Sequence, residues 1–114
     1  MNSVTASNLR EMLSGGQPPI VIDVRRQPAF TSSTVMVQGA LRRDPERVRD
    51  WAKSLPRASS AVVYCVHGHE VSQNAAKALN ERGIAAQYLE GGIEEGWKAA
   101  GGPLDAKPAG TSTR

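Results

Sequence analysis

The segment Ile20-Val21-Ile22-Asp23-Val24-Arg25 constrains the fold most. Its apolar residues follow one another without the alternation of a strand that is wet on one side, and most are β-branched. Such a run suits a strand buried on both faces, as inside a parallel sheet. Ala61-Val62-Val63-Tyr64 repeats the pattern, and Ile84 to Leu89 reads as a further short strand. Thr5 to Gly16 is predicted to be a short helix, capped by Thr5 or Ser7 and ended by Gly15, with Leu9, Met12 and Leu13 on one face. Asp44 to Lys53 reads as a second helix, with Asp44 as N-cap, Pro45 in the first turn, and Val48, Trp51, Ala52 and Leu55 facing inward. Val71 to Arg82 is a third, with Gly83 just past its end, and Ile93 to Ala100 a last one with Trp97 facing in. Residues 26–43 are expected to be irregular apart from a short strand at Val35–Val37, with Phe30 plugging a core edge. Strands alternating with helices predict an α/β fold, a small central parallel sheet flanked by helices on both faces. Residues 1–104 are expected to form one domain. The polar, Pro- and Gly-containing stretch 105–114 is expected to be a disordered tail.

Charge and composition narrow the function by exclusion. The net charge of +3 is small and scattered, and no basic residues interleave with aromatics, so nucleic acid is not an expected partner. No apolar run is long enough to span a bilayer, and the N-terminus has neither the basic region nor the apolar stretch of a signal peptide, so no membrane association is expected. The single cysteine cannot form an internal disulfide. A reducing cytoplasm is the expected location.

That cysteine, Cys65, stands where the second apolar run ends and a short loop leads into the third helix. A loop turning from strand into helix offers backbone N–H groups, and the helix N-terminus adds about half a positive charge. The thiolate, the reactive form of cysteine, is favoured in such a place. The competing reading is an inert buried cysteine, since lone cysteines are among the most buried residues. The strand-loop-helix setting and the residues Val66-His67-Gly68-His69 favour chemistry. Cys65, His67 and His69 also alternate as metal ligands can, but structural zinc sites gather four ligands from separated pairs, so no metal is expected. Asp23, at the end of its strand, reads as a cap or as a partner of Arg25.

Three stretches together resemble the rhodanese family in its single-domain form. They are Asp23-Val24-Arg25 with Phe30 and Gly39-Ala40, then Tyr64-Cys65-Val66-His67-Gly68, then Leu89-Glu90-Gly91-Gly92-Ile93-Glu94-Glu95-Gly96-Trp97. The resemblance implies a sulfurtransferase, in which Cys65 takes sulfane sulfur from a thiosulfate-like or persulfide donor and holds it as a persulfide. It then passes the sulfur to a thiophilic acceptor such as cyanide or a thiol, with a protein acceptor as a further partner. No cofactor is needed. The backbone amides of Val66, His67, Gly68, His69, Glu70 and Val71 are expected to cradle the persulfide anion, with Gly68 allowing the tight turn, and Asp23 and Arg25 to shape the cradle from the neighbouring strand end. The chain departs from the family where many members carry His-Ile-Pro-Gly-Ala, having Val35 to Ala40 there, and Glu70 stands where a neutral or basic residue would suit an anionic donor. Two other readings stay open. One is a non-catalytic rhodanese-like module that binds a partner or senses oxidants through Cys65. The other is a thiol-based oxyanion reductase or phosphatase, which would need an Arg to hold the oxyanion where this chain has Val71.

Overall fold

The computed structural model describes residues 2–56 and 59–107. In chain order the elements are β1 (Ser3–Val4), α1 (Ala6–Leu13), β2 (Ile20–Asp23), α2 (Gln27–Ser32), β3 (Val35–Val37), β4 (Leu41–Arg42), α3 (Val48–Trp51), β5 (Ser60–Tyr64), α4 (Glu70–Glu81), β6 (Ala85–Leu89), a π-helical segment Gly92–Lys98, and β7 (Leu104–Ala106). Among the described residues, β1, β2, β4, β5 and β6 form one parallel sheet in the order β1-β6-β5-β2-β4. The strand β5 is central: Val63 sits opposite Ile22 on one side and Tyr88 on the other.

The sheet is buried on both faces, which accounts for the unbroken apolar runs. Ile22, Val24, Ala61 and Val63 pack on one face against Val48, Trp51, Ala75 and Leu79 from α3 and α4. Val21, Val62 and Tyr64 point to the other face and meet Leu9 of α1, Val37 of β3, and Ile93 and Trp97 of the π-helical segment. Successive residues of β2 and β5 alternate between two cores, so both sets are apolar except for Asp23, which a polar network satisfies.

Several expectations are corrected. Residues 26–43 are not irregular: Gln27–Ser32 is α2, with Pro28 in its first turn and Phe30 buried, and Leu41–Arg42 adds an edge strand beside β2. Thr31 and Ser32, within the stretch expected to be irregular, belong to that helix. Val35–Val37 is a strand, as expected, but it leaves the central sheet and pairs antiparallel with β7. That pairing also overturns the expected tail from residue 105, because Asp105 and Ala106 lie in β7 and Lys107 donates its backbone N–H to Thr34. The remainder of that tail, 108–114, lies outside the described residues. The helix predicted over Asp44–Lys53 is capped by Asp44, whose carboxylate accepts from the Glu46 N–H at 2.8 Å, but its ends are tightened into 3₁₀ turns on either side of α3. The last helix is π-helical: Gly91 accepts at one carbonyl from both Glu95 at 3.0 Å and Gly96 at 3.1 Å.

A buried polar network closes the end of the sheet from which the β5–α4 loop departs. Asp23 and Arg25 are 0% and 1% exposed. Arg25 donates through Nε to both Asp23 oxygens at 3.1 and 3.0 Å, and through Nη2 to Oδ2 at 2.7 Å and to the Val35 carbonyl at 2.9 Å. The Tyr64 hydroxyl donates to Asp23 Oδ2 at 2.9 Å and accepts from the Val37 N–H at 3.0 Å. Burial raises the Tyr64 phenol well above its ordinary pKa, and the negative charge of Asp23 pushes the same way, so Tyr64 keeps its proton and its donor role. The network ties β2, β3 and β5 to one another. Replacing Arg25 by Met is expected to leave a buried carboxylate without its cation and to cost about 3–5 kcal/mol in urea denaturation. Tyr64→Phe, which strands the Val37 N–H, is expected to cost about 1–3 kcal/mol.

Candidate functional site

Cys65 directly follows β5, at the carboxyl end of the central strand, where open parallel sheets place their sites. It is 5% exposed. Its Sγ donates to the Ser72 Oγ in the first turn of α4 at 3.1 Å. Sequence reading missed Ser72. Its burial inside an otherwise apolar helix face, seven residues after the cysteine, was the available signal.

The loop from Cys65 to His69 is held from outside by the π-helical segment. Ile93 donates its N–H to the Cys65 carbonyl at 3.0 Å, and Glu94 donates to the Val66 carbonyl at 3.1 Å. In contrast, the N–H groups of Val66 through Ser72 have no protein acceptor among the described residues. The spare hydrogen-bonding capacity of the loop is therefore donor capacity, which suits an anion. The twelve residues of α4 begin at Glu70, and His69 occupies the cap position without a side-chain capping bond.

Two glycines permit this close approach of backbones. Gly68 has φ +75°, and a Cβ there would lie 2.8 Å from both the Leu89 carbonyl oxygen and the Gly91 nitrogen. Gly92 has φ +60°, and its Cβ would lie 2.5 Å from the Cys65 carbonyl oxygen and closer still to that of Val66. The Leu89–Trp97 stretch thus acts as a backbone shelf under the cysteine loop.

Cys65, Val66, His67, His69, Glu70 and Val71 line a cavity of about 300 Å³ together with Arg26 and Ala29. Arg26 and Ala29, at the start of α2, were not anticipated because that region read as irregular. Gly68 forms the turn against the shelf and does not line the cavity. Asp23 is sealed in its network with Tyr64, and Arg25 opens instead onto a neighbouring cavity. Neither touches the Cys65 cavity. A larger cavity of about 680 Å³ runs along α4 and Tyr88, but it holds no cysteine or histidine, and chemistry rather than size places the site at Cys65.

The mouth of the Cys65 cavity carries mixed charge. His67 Nδ1 meets Glu95 at 2.8 and 2.9 Å, which leaves Nε2 free of protein partners among the described residues. The two side chains are 51% and 61% exposed, so the pair orients a ring rather than stabilising the fold, contributing about 0–1 kcal/mol. The His67 and His69 rings lie 6.0 Å apart between centroids. No group of three or more His, Cys, Asp or Glu side chains converges as metal ligands among the described residues.

The model of the rhodanese-like domain matches residues 5–100. No curated protein matches the sequence. Among solved structures, a rhodanese-related protein from Thermoplasma volcanium is 26% identical, with 94% of this chain and all of that one covered and a TM-score of 0.76. A rhodanese-like domain protein from Staphylococcus aureus is 23% identical over 95% of this chain and 100% of that one, with a TM-score of 0.74. A Rhodopseudomonas palustris protein of unknown function, described as a possible tyrosine phosphatase, shares the fold at 21% identity over 92% of this chain and 85% of that one, with a TM-score of 0.76.

Gly92→Ala is expected to cost about 3 kcal/mol or more, because left-handed backbone strain adds to a collision with two carbonyl groups that cannot swing away without breaking their hydrogen bonds. Thermal denaturation measures the loss. Amide chemical-shift changes concentrated in residues 65–72 would locate it.

Proposed function

The chain belongs to the rhodanese-like domain family, and on that footing we propose that it is a sulfurtransferase with Cys65 as the sulfur carrier. One observation carries the reading: the only cysteine of the chain sits against a loop whose consecutive N–H groups have no protein acceptor among the described residues. In the first step the Cys65 thiolate attacks the sulfane sulfur of a donor. With thiosulfate, the S–S bond of the donor breaks, a bond from Cys65 to the outer sulfur forms, and sulfite leaves with the electron pair. In the second step an acceptor attacks the outer sulfur. Cyanide leaves as thiocyanate and Cys65 is restored as the thiolate. The intermediate is an anion, and the amides of Val66 to Val71 and the Ser72 hydroxyl are the donors that stabilise it. Sulfur transfer of this kind calls on no cofactor, because each step breaks one bond to the sulfane sulfur and forms another, with no outside oxidant or reductant. The donor is thiosulfate-like or a persulfide, the acceptor cyanide or a thiol, small or on a protein, and a reducing cytoplasm keeps the thiol free. No helix among the described residues is long and apolar enough to cross a membrane.

A cysteine phosphatase would hold its oxyanion with an Arg where Val71 stands, at the cavity wall, and a branched apolar side chain offers no such bond. A non-catalytic module that senses oxidants through Cys65 is the second reading, favoured by Glu70, whose negative charge at the cavity opposes an anionic donor.

Intact-mass measurement after incubation with thiosulfate, and separately with a persulfide donor, tests the proposal. The expected result is one added sulfur atom, removed by cyanide and absent in Cys65→Ser. No added sulfur from either donor, with Cys65 still open to alkylation, would favour the sensing module. Ser72→Ala is expected to slow turnover roughly tenfold to a hundredfold, as the loss of one hydrogen bond to an ionised sulfur of about 1.5–3 kcal/mol implies.

A further inference from the structure

Which way the N–H groups of the cysteine loop point depends on what holds its carbonyls. The shelf holds those of Cys65 and Val66, through Ile93 and Glu94. The carbonyls of Gly68 and His69, at the other end of the loop, are held by one residue, Gln73. Its backbone N–H donates to the His69 carbonyl at 3.2 Å and so begins the ladder of α4. Its side-chain Nε2 donates to the Gly68 carbonyl at 3.1 Å. Among the described residues, no other side chain donates to a carbonyl of the loop from Cys65 to His69. A capping-box glutamine accepts from the N–H of the cap residue. Gln73 donates instead, and to the residue before the cap, so its side chain serves the loop and does nothing for the unpaired N–H groups that begin α4.

A trans peptide points its C=O and its N–H in opposite directions. The peptide between Gly68 and His69 is trans. With its carbonyl drawn to Gln73, its N–H points away from Gln73. The two sides are distinct hollows: Gln73 lines the larger cavity along α4, His69 lines the Cys65 cavity, and no lining residue is common to both. The His69 N–H has no protein acceptor among the described residues. Little besides Gln73 restrains this peptide plane. Gly68 turns at φ +75° and has no side chain to resist rotation. The shelf packs against Gly68 but donates nothing to its carbonyl. Without the Gln73 side chain, that carbonyl is a dipole free to swing its negative end toward the sulfur.

We propose that Gln73 is a positioning residue for the sulfur-transfer site: its side chain locks the Gly68–His69 peptide with the N–H turned toward the Cys65 anion. The inference rests on the reading of the loop as an anion cradle and deepens it. Gln73 lines the other cavity and makes no hydrogen bond to the sulfur. It acts through the direction of one peptide dipole. A thiolate or persulfide at Cys65 gains a donor and is spared a carbonyl facing it. A glutamine that only steadied the helix would change stability and leave the thiol as it was.

Gln73→Met keeps the length of the side chain and removes the donor. The rate of Cys65 alkylation by iodoacetamide, followed against pH, reports the thiolate and needs no sulfur transfer. Gln73→Met is expected to move the midpoint of that profile up by about one pH unit, which is about tenfold less thiolate on the acid side. Sulfur loading from thiosulfate at neutral pH is expected to slow by about threefold to tenfold. The His69 amide resonance is expected to shift more than those of Cys65 and Val66, whose carbonyls the shelf still holds. Asn74→Met, a change beside Gln73 in the same cavity wall, is expected to leave the profile in place. An unmoved profile in Gln73→Met, or an equal move in Asn74→Met, would overturn the proposal. In the unsubstituted protein the Gln73 side-chain amide protons are expected to exchange with water about tenfold more slowly than those of Asn74. Equal exchange would overturn the lock independently of any variant. Failure of Cys65 to take up sulfur would sink the sulfurtransferase reading, while the thiol profile would still decide the role of Gln73.

Discussion

Two hydrogen bonds between backbones set up the rest of the site. Ile93 and Glu94 turn their N–H groups to the carbonyls of Cys65 and Val66, and this fixes which side of the loop is left with unused donors. Peptide groups in a tight loop have to satisfy both ends. Once the carbonyls are satisfied from the shelf, the remaining N–H groups and the start of α4 face the demand for an acceptor, and an anion at Cys65 meets it. The two bonds require backbone-to-backbone distances that only glycine allows at positions 68 and 92. The Gly-rich Leu89–Trp97 stretch is thus part of the cysteine site, although it lies more than twenty residues further along the chain.

The charge pairs of the molecule divide by burial into two kinds. Asp23 and Arg25 are buried, share several hydrogen bonds with Tyr64 and Val35, and hold the ends of β2, β3 and β5 in place. Removing one member of such a pair leaves a charge without solvent, so the effect is large. His67 with Glu95, and Lys98 with Glu94, stand in water at the cavity rims, where water competes for both partners and the energy is small. Their consequence is orientation and recognition. One π-helical segment supplies both Glu94, which lines the neighbouring cavity, and Glu95, which meets His67.

The parts of the fold visible in the sequence are those whose signal is local. The strands β2 and β5 are buried on both faces and so carry apolar runs, and α1 and α4 carry a cap at one end or a glycine at the other. What escaped notice had a weak local signal and a strong tertiary cause. The two-residue strands β1 and β4 exist because an adjacent strand edge lies beside them. The helix α2 has polar residues and a proline, and is held by one buried side chain, Phe30, with Arg25 and Arg42 near its ring at 5.4 and 4.6 Å. The strand β7 is exposed along its length, carries no apolar pattern, and is recognisable only by its pairing with β3.

The sequence by itself determined the α/β architecture, the position of Cys65 after a buried strand, and the motif that signals the rhodanese-like family, because burial period and loop chemistry are properties of neighbouring residues. Which residues face the cysteine was decided by the tertiary structure alone. It brought Arg26 and Ala29 to the Cys65 cavity, set the Ser72 hydroxyl against the Cys65 sulfur, and turned Arg25 away into the next cavity. The physical reason is that Asp23 binds the Arg25 Nε and Nη2 inside the sheet, so the guanidinium is committed to that network and does not reach the cysteine loop.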